Sequence, residues 1–153
     1  MLTRRATLGL VALVPSALAL GLPTRALAAE PNVFQRSGLA IGGTDPVAYL
    51  DLNGPVAGDA SHSLEWNGAT WTFASAANRD TFATDPERYA PAFGGYCAFA
   101  ASRGYLAPTI PEAWSVVDDR LFLNANLRAR ELWLAELPDV IAAGEANWPG
   151  ILG

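Results

Sequence analysis

The chain has 153 residues, half of them hydrophobic and only 16% charged, a balance that supports a packed globule and excludes a disordered polymer. All ten basic residues are arginine, and three of them (Arg4, Arg5, Arg25) fall in the first 28 residues, which leaves seven arginines against fifteen acids in the remainder. So acidic a chain has no electrostatic footprint for nucleic acid or anionic lipid, and neither is expected as a partner.

The amino-terminal segment has the organisation of a leader. Met1–Arg5 is short and basic, Leu8–Leu22 is an apolar run broken by Pro15, and Ala26-Leu27-Ala28 has the small-x-small pattern of a peptidase site. The run falls short of the roughly 20 residues that span a bilayer, so no stable membrane anchor is expected after leader removal. Thr3-Arg4-Arg5-Ala6-Thr7-Leu8 resembles a twin-arginine export signal, with Thr7 where that signal usually carries phenylalanine. An ordinary secretory leader with two arginines is the alternative. The expectation is a signal peptide over residues 1–28 and a single periplasmic or secreted domain over residues 29–153.

Past a loose entry segment, Asp45 precedes Pro46 as a cap before a first-turn proline, and Asn53-Gly54-Pro55 marks a turn. Asn67-Gly68 is a strong type I′ hairpin signal because both central positions need positive φ. That turn pairs Trp66 with Ala69, Leu64 with Trp71 and His62 with Phe73, all on one apolar face with His62 pointing towards the core. Ser63, Glu65, Thr70 and Thr72 take the opposite, wet face. Ser75 then caps a helix through Thr84, and Asp85-Pro86 ends it and starts a second short turn. A second hairpin turns at Asp118-Asp119, with Trp114, Val116, Leu121 and Leu123 on one face. Asn126 caps a helix to about Leu137 that presents Leu127, Leu134 and Leu137 along one side with Trp133 beside them. Pro138 breaks it, and a last helix follows from Asp139 to Ala146. The fold class is therefore α+β: a small single domain with two β-hairpins packed against several short helices.

One cysteine, Cys97, and one histidine, His62, carry the obvious chemistry. A lone cysteine forms no internal disulfide, and in an exported chain it is either buried as a small hydrophobe, reactive, metal-bound or paired with another chain. The Gly94-Gly95 bend before Tyr96 and Cys97 is where a ligand could approach the backbone.

Asp45-Pro46-Val47-Ala48-Tyr49, Trp66-Asn67-Gly68-Ala69-Thr70-Trp71, Phe73-Ala74-Ser75, Asp85-Pro86-Glu87-Arg88-Tyr89 and Gly94-Gly95-Tyr96-Cys97 resemble the YHS domain, in the form found in secreted bacterial proteins of unknown activity. The resemblance covers about residues 41–99, and Leu121–Asn124 and Asn147-Trp148-Pro149, within the C-terminal hairpin and helices over 113–149, resemble the tail of the same proteins. It implies metal binding through cysteines. Here Ala48, Ala74 and Asn78 stand at the positions where those cysteines would fall.

Three functional classes follow. A metal site would gather Cys97 and His62, with Asp45 or another carboxylate, around copper or zinc. An enzyme would use Cys97 and His62 as a thiolate–imidazolium pair. A binding module would line a small pocket with aromatic residues among Trp66, Trp71, Tyr96, Phe99, Tyr105 and Trp114. The reading adopted is an exported YHS-type binding module for a small ligand or a metal ion, with a thiol-dependent enzyme and a purely structural or interaction domain as alternatives. Its candidate ligand-binding residues are Cys97, His62, Tyr96 and Gly95, with Asp45 and Tyr49 added by the resemblance; Cys97 and His62 are the candidate metal ligands.

Overall fold

Asn67 and Gly68 take φ values of +50° and +77°, the paired left-handed conformations of a type I′ turn. They join strand β3 (Asp59–Trp66) to strand β4 (Ala69–Phe73) in a computed structural model that describes residues 28–153. The leader read over residues 1–28 lies, except for Ala28, outside the described residues. Near the turn the register is the expected one, with Trp66 opposite Ala69 and Leu64 opposite Trp71. Further out it slips. The β3 chain bulges between Asp59 and Ser63, so Phe73 stands opposite Asp59 instead of His62, and His62 is only half-buried. Thr72 also departs from expectation: it is buried, and its hydroxyl donates to the Gly43 carbonyl at 3.0 Å. Two short strands, β1 (Gln35–Arg36) and β2 (Leu39–Ala40), complete a sheet of order β1-β2-β4-β3 and cover the β4 edge. Strand β3 is left at the sheet's margin.

The second hairpin forms as read. Asp118 and Asp119 adopt φ values of +50° and +58°, so aspartate supplies the left-handed pair. Strand β5 (Trp114–Val117) pairs with strand β6 (Arg120–Leu123), placing Trp114 opposite Leu123 and Val116 opposite Leu121. Alternation along β6 then divides the interior. Leu121 and Leu123 enter a core with Val47, Tyr49, Trp71, Phe73 and Phe82. Phe122 points the other way, into a second core with Phe93, Ala98, Trp133 and Val140.

Helices α1 (Pro46–Asp51), α2 (Ala76–Thr84) and α3 (Pro86–Tyr89) pack on the first core, and α4 (Ala98–Ser102), α5 (Leu127–Ala135) and α6 (Asp139–Asn147) enclose the second. Their starts follow the side-chain chemistry: Ser75, Asp85 and Asn126 accept from the backbone N–H of Asn78, Arg88 and Ala129. The inner side of α5 is not the leucine stripe. Leu127 and Leu134 are 60% and 36% exposed, while Trp133 is fully buried with its ring centroid 4.8 Å from that of Phe122. The large indole fills the second core, and Leu137, just beyond the end of α5, packs against that core. Two small sheets and six helices among the described residues make this an α+β fold. None of those helices is long and apolar enough to cross a membrane.

Asp45 sits at the centre of the first half. Its side chain is fully buried and accepts four hydrogen bonds. Oδ1 takes the N–H groups of Val47 at 2.9 Å and Ala48 at 3.3 Å, which caps α1. Oδ2 takes the Ala74 N–H at 2.9 Å and the Asn78 amide at 2.7 Å, which ties that cap to the corner between β4 and α2. Replacing Asp45 by asparagine turns one carboxylate oxygen into a donor facing donors. Asp45→Asn and Asp45→Ala are therefore expected to lose similar stability, on the order of 3 kcal/mol each, measured by urea unfolding. An Asp45→Asn protein as stable as wild type would contradict the four-donor clamp.

Candidate functional site

A cleft of about 340 Å³ opens where five separated stretches of chain meet. One wall comes from the first hairpin. Trp66 and Trp71 lie 5.9 Å apart between centroids, and Trp71 Nε1 donates to the Trp66 carbonyl at 3.0 Å. Another wall comes from Phe93 and Trp148, with centroids 6.1 Å apart. Asn32 reaches across the hairpin turn to donate to Asn67 Oδ1 at 3.3 Å, closing one end.

The corner under the cleft explains its glycines. Phe93, Gly94 and Gly95 have φ values of +56°, +61° and +82°, three left-handed residues in succession. The chain turns so tightly here that a Cβ on Gly94 would lie 2.0 Å from the Asn32 carbonyl oxygen, and one on Gly95 would lie 2.5 Å from Ile41 Cγ2. The glycines therefore admit the protein's own entry segment, whose Phe34 N–H donates to the Gly94 carbonyl at 2.8 Å. Phe93 has no such freedom, and its strained backbone is held by packing against Phe122, Trp148 and Gly144.

The rim of the cleft is charged. Arg88, Arg120 and Glu87 line it. Arg120 pairs with Glu145 through one nitrogen at 2.6 Å and lies 5.2 Å over the Phe122 ring. The Arg88 guanidinium lies 5.7 Å from the Tyr89 ring, and no acid among the described residues comes within ion-pair distance of it.

The residues singled out from sequence fall elsewhere. Cys97 is buried at the start of α4, where its sulfur accepts from the Ala100 and Ala125 N–H groups at 3.5 and 3.3 Å and its thiol donates to Asn124 Oδ1 at 3.5 Å. His62 stands on the marginal strand β3, beside Asp59. Hydrogen bonds from Ser61, and then the nearby His62 charge, hold the Asp59 carboxyl below its usual range. The structure does not bring Cys97 and His62 together. Among the described residues no three His, Cys, Asp or Glu side chains gather in a set able to hold a metal.

Asp45 has its acceptors filled by the four donors above, and Gly95 closes on Ile41. Tyr96 donates its hydroxyl to the Pro31 carbonyl at 2.9 Å and borders a second, shallower groove of about 370 Å³ with Phe34, Leu106 and Pro108. Its phenol is raised above the usual tyrosine value by burial and by the charge of Glu30. Tyr49 is buried, with its hydroxyl 3.4 Å from Thr44 Oγ1 and 3.3 Å from the Pro111 carbonyl. Of the aromatic residues considered for a pocket, Trp66 and Trp71 do line the cleft, whereas Trp114 packs on Tyr49 and Tyr105 is 53% exposed. Arg88, Arg120 and Trp148 were not singled out, because nothing local in sequence ties three residues so far apart to one opening.

The family model of the YHS domain matches residues 53–93. The match takes in the first hairpin, α2, α3 and the cleft residues Trp66, Trp71 and Arg88; Asp45, Cys97, Arg120 and Trp148 lie outside it. No curated protein and no solved structure is significantly similar to the chain.

The donors implied by the resemblance can be tested for fit. Ala48 and Ala74 offer only backbone N–H groups to Asp45, and Asn78 offers an amide N–H. The three positions do surround one point, but that point is a carboxylate already holding four hydrogens. This donor set does not fit a thiophilic metal.

Two measurements check this local chemistry. Burial, opposed in part by the Thr44 hydrogen bond and aided by the Glu112 charge, pushes the Tyr49 phenol from 10.0 up to about 12. The folded state thus holds the Tyr49 proton more tightly than the unfolded chain. The resulting stability is complete below pH 10 and is lost as pH rises towards 12, about 2–3 kcal/mol over the full interval. Urea midpoints taken across that interval should fall for wild type and fall less steeply for Tyr49→Phe. For Cys97, a disulfide reagent should label the native thiol about a hundred-fold or more slowly than the urea-unfolded chain. Equal rates would contradict its burial.

Proposed function

We propose that the chain is an exported YHS-type binding module whose small-molecule ligand seats in the cleft between the Trp66–Trp71 wall and Trp148. One observation carries this reading: aromatic walls from distant parts of the chain converge on a half-open cleft without a catalytic set beside it. The volume of about 340 Å³ lies in the lower part of the range for small-molecule sites, about 300–1,000 Å³. No serine, cysteine, histidine or aspartate lines it, and Glu87 is its single carboxylate. Binding is therefore better supported than nucleophilic or acid–base catalysis, which needs a positioned pair of groups.

Copper or zinc on Cys97 and His62 is the second reading, and the family likeness is its support. Export to the periplasm or the medium rests on Arg4, Arg5 and the Ala26-Leu27-Ala28 pattern.

Ligand-observed NMR with a mixture of one- and two-ring aromatic fragments tests the assignment. Fragments should contact the wild-type protein and lose that contact in Trp148→Leu and in Trp66→Leu, with folding of both variants checked by circular dichroism. Metal analysis of untagged protein, wild type and Cys97→Ser, runs beside it. Fragment contact indifferent to both tryptophans, or stoichiometric metal that disappears with Cys97, would overturn the cleft reading.

A further inference from the structure

The charge around the cleft runs against the charge of the chain. The protein carries a net −5, yet the residues lining the cleft include two arginines and one glutamate. Those guanidinium groups retain unused donors. Arg120 makes a single contact to Glu145 Oε1, which leaves most of its five N–H groups free. Arg88 has no ion-pair partner among the described residues; its backbone N–H donates to Asp85 Oδ1 at 3.3 Å, and its guanidinium lies 5.7 Å from the Tyr89 ring. A planar, weakly hydrated fork of this kind matches a carboxylate better than it matches bulk water. Beside it, Trp66 and Trp148 are half-buried and keep part of their indole surface open to the cleft.

From this we infer that the ligand class is a planar aromatic carboxylate of one or two rings, its ring against Trp66 and Trp148 and its carboxylate on Arg88, with Arg120 adding charge. The inference rests on the cleft reading above and narrows it. Glu87 is the group that opposes it, since a carboxylate at the rim repels an anion and would attract a cation. Glu145 offsets the charge of Arg120, so the preference for an anion rests on the Arg88 fork, which has no ion-pair partner among the described residues, and on the N–H groups that Arg120 keeps free.

Titration calorimetry and tryptophan fluorescence with four probes separate the contributions: 2-naphthoate, its uncharged amide 2-naphthamide, the saturated acid cyclohexanecarboxylate and the cation 2-naphthylmethylammonium. Naphthoate should bind best, with the amide and the saturated acid each weaker by about ten-fold or more, and with affinity falling as salt rises. Arg88→Gln should remove most of the preference for naphthoate over naphthamide. Arg88→Lys should restore part of it, because the charge returns without the fork. Arg88 is exposed, so neither change is expected to disturb the fold. Naphthamide binding as tightly as naphthoate, or the cation binding more tightly, with both still lost in Trp148→Leu, overturns the anion inference and leaves the cleft standing. Absence of binding by every aromatic probe, or naphthoate binding that ignores Trp148→Leu and Arg88→Gln alike, overturns both.

Discussion

The buried carboxylate of Asp45 is the constraint from which the first half of the molecule is built. An ion placed away from water is tolerated only when its lone pairs are met, and here four N–H groups from three elements meet them. Because those donors come from the start of α1, the end of β4 and the first turn of α2, the carboxylate fixes the angle between a helix and a sheet corner. The hairpin leaves that corner with Trp71 and Phe73 already aimed at Phe82. Trp66 follows at the far end of the same hairpin, its ring edge-on to Phe82 at 5.7 Å. The aromatic wall of the cleft is thus set by a polar contact several residues away.

The other wall depends on β6 being buried on both faces. A half-buried hairpin strand would send Phe122 to solvent. Here α4, α5 and α6 cover that face, and Phe122 becomes the centre of a second core instead. Phe93 joins that core by accepting a left-handed backbone, and Trp148 packs against Phe93 from the carboxyl-terminal end. The strain at Phe93 is small beside the apolar area its ring and its neighbours bury, which is why a non-glycine residue persists in that conformation. The same turn brings Gly94 under the Asn32 carbonyl, so the entry segment is pinned across the edge of the cleft.

What could be read from the sequence was what short-range rules govern. The Asn67-Gly68 and Asp118-Asp119 turns, the Ser75, Asp85 and Asn126 caps and the Asp45-Pro46 helix start each follow from one or two residues and a local hydrogen bond. Errors arose where a second layer of structure competes with local pattern. Alternation extrapolated from the turn placed His62 opposite Phe73, but Gly58 must pass within a few ångströms of Thr72, and the bulge before Ser63 absorbs the difference. Leucine spacing suggested one face for α5, whereas the space beside Phe122 is filled by Trp133. Half of the cleft is legible: aromatic content points to Trp66 and Trp71, while Arg88, Arg120 and Trp148 meet only through the packing of both cores. The Gly94-Gly95 signal was real, but its cause is the approach of the protein's own backbone.

These placements bear on a chain that matches the YHS family model over residues 53–93 and lacks the sulfur ligands the resemblance implies. The positions implied for those ligands lie around Asp45, and here they deliver hydrogens, so the region has become a structural anchor whose acceptors are saturated. A cation arriving there would have to break four hydrogen bonds and would gain one carboxylate, an exchange that favours the existing arrangement. Cys97, the remaining sulfur, is equally engaged, linking the start of α4 to Asn124 and Ala125 at the end of the second hairpin. With both groups holding the fold, the open aromatic faces and unused side-chain donors lie elsewhere. They gather at the cleft: two tryptophans with partly open faces, one arginine without an acid partner among the described residues and a second with a single ion-pair contact. Rigid walls and free donors lower the cost of ordering on binding, and they lie where the matched domain meets the segments on either side of it.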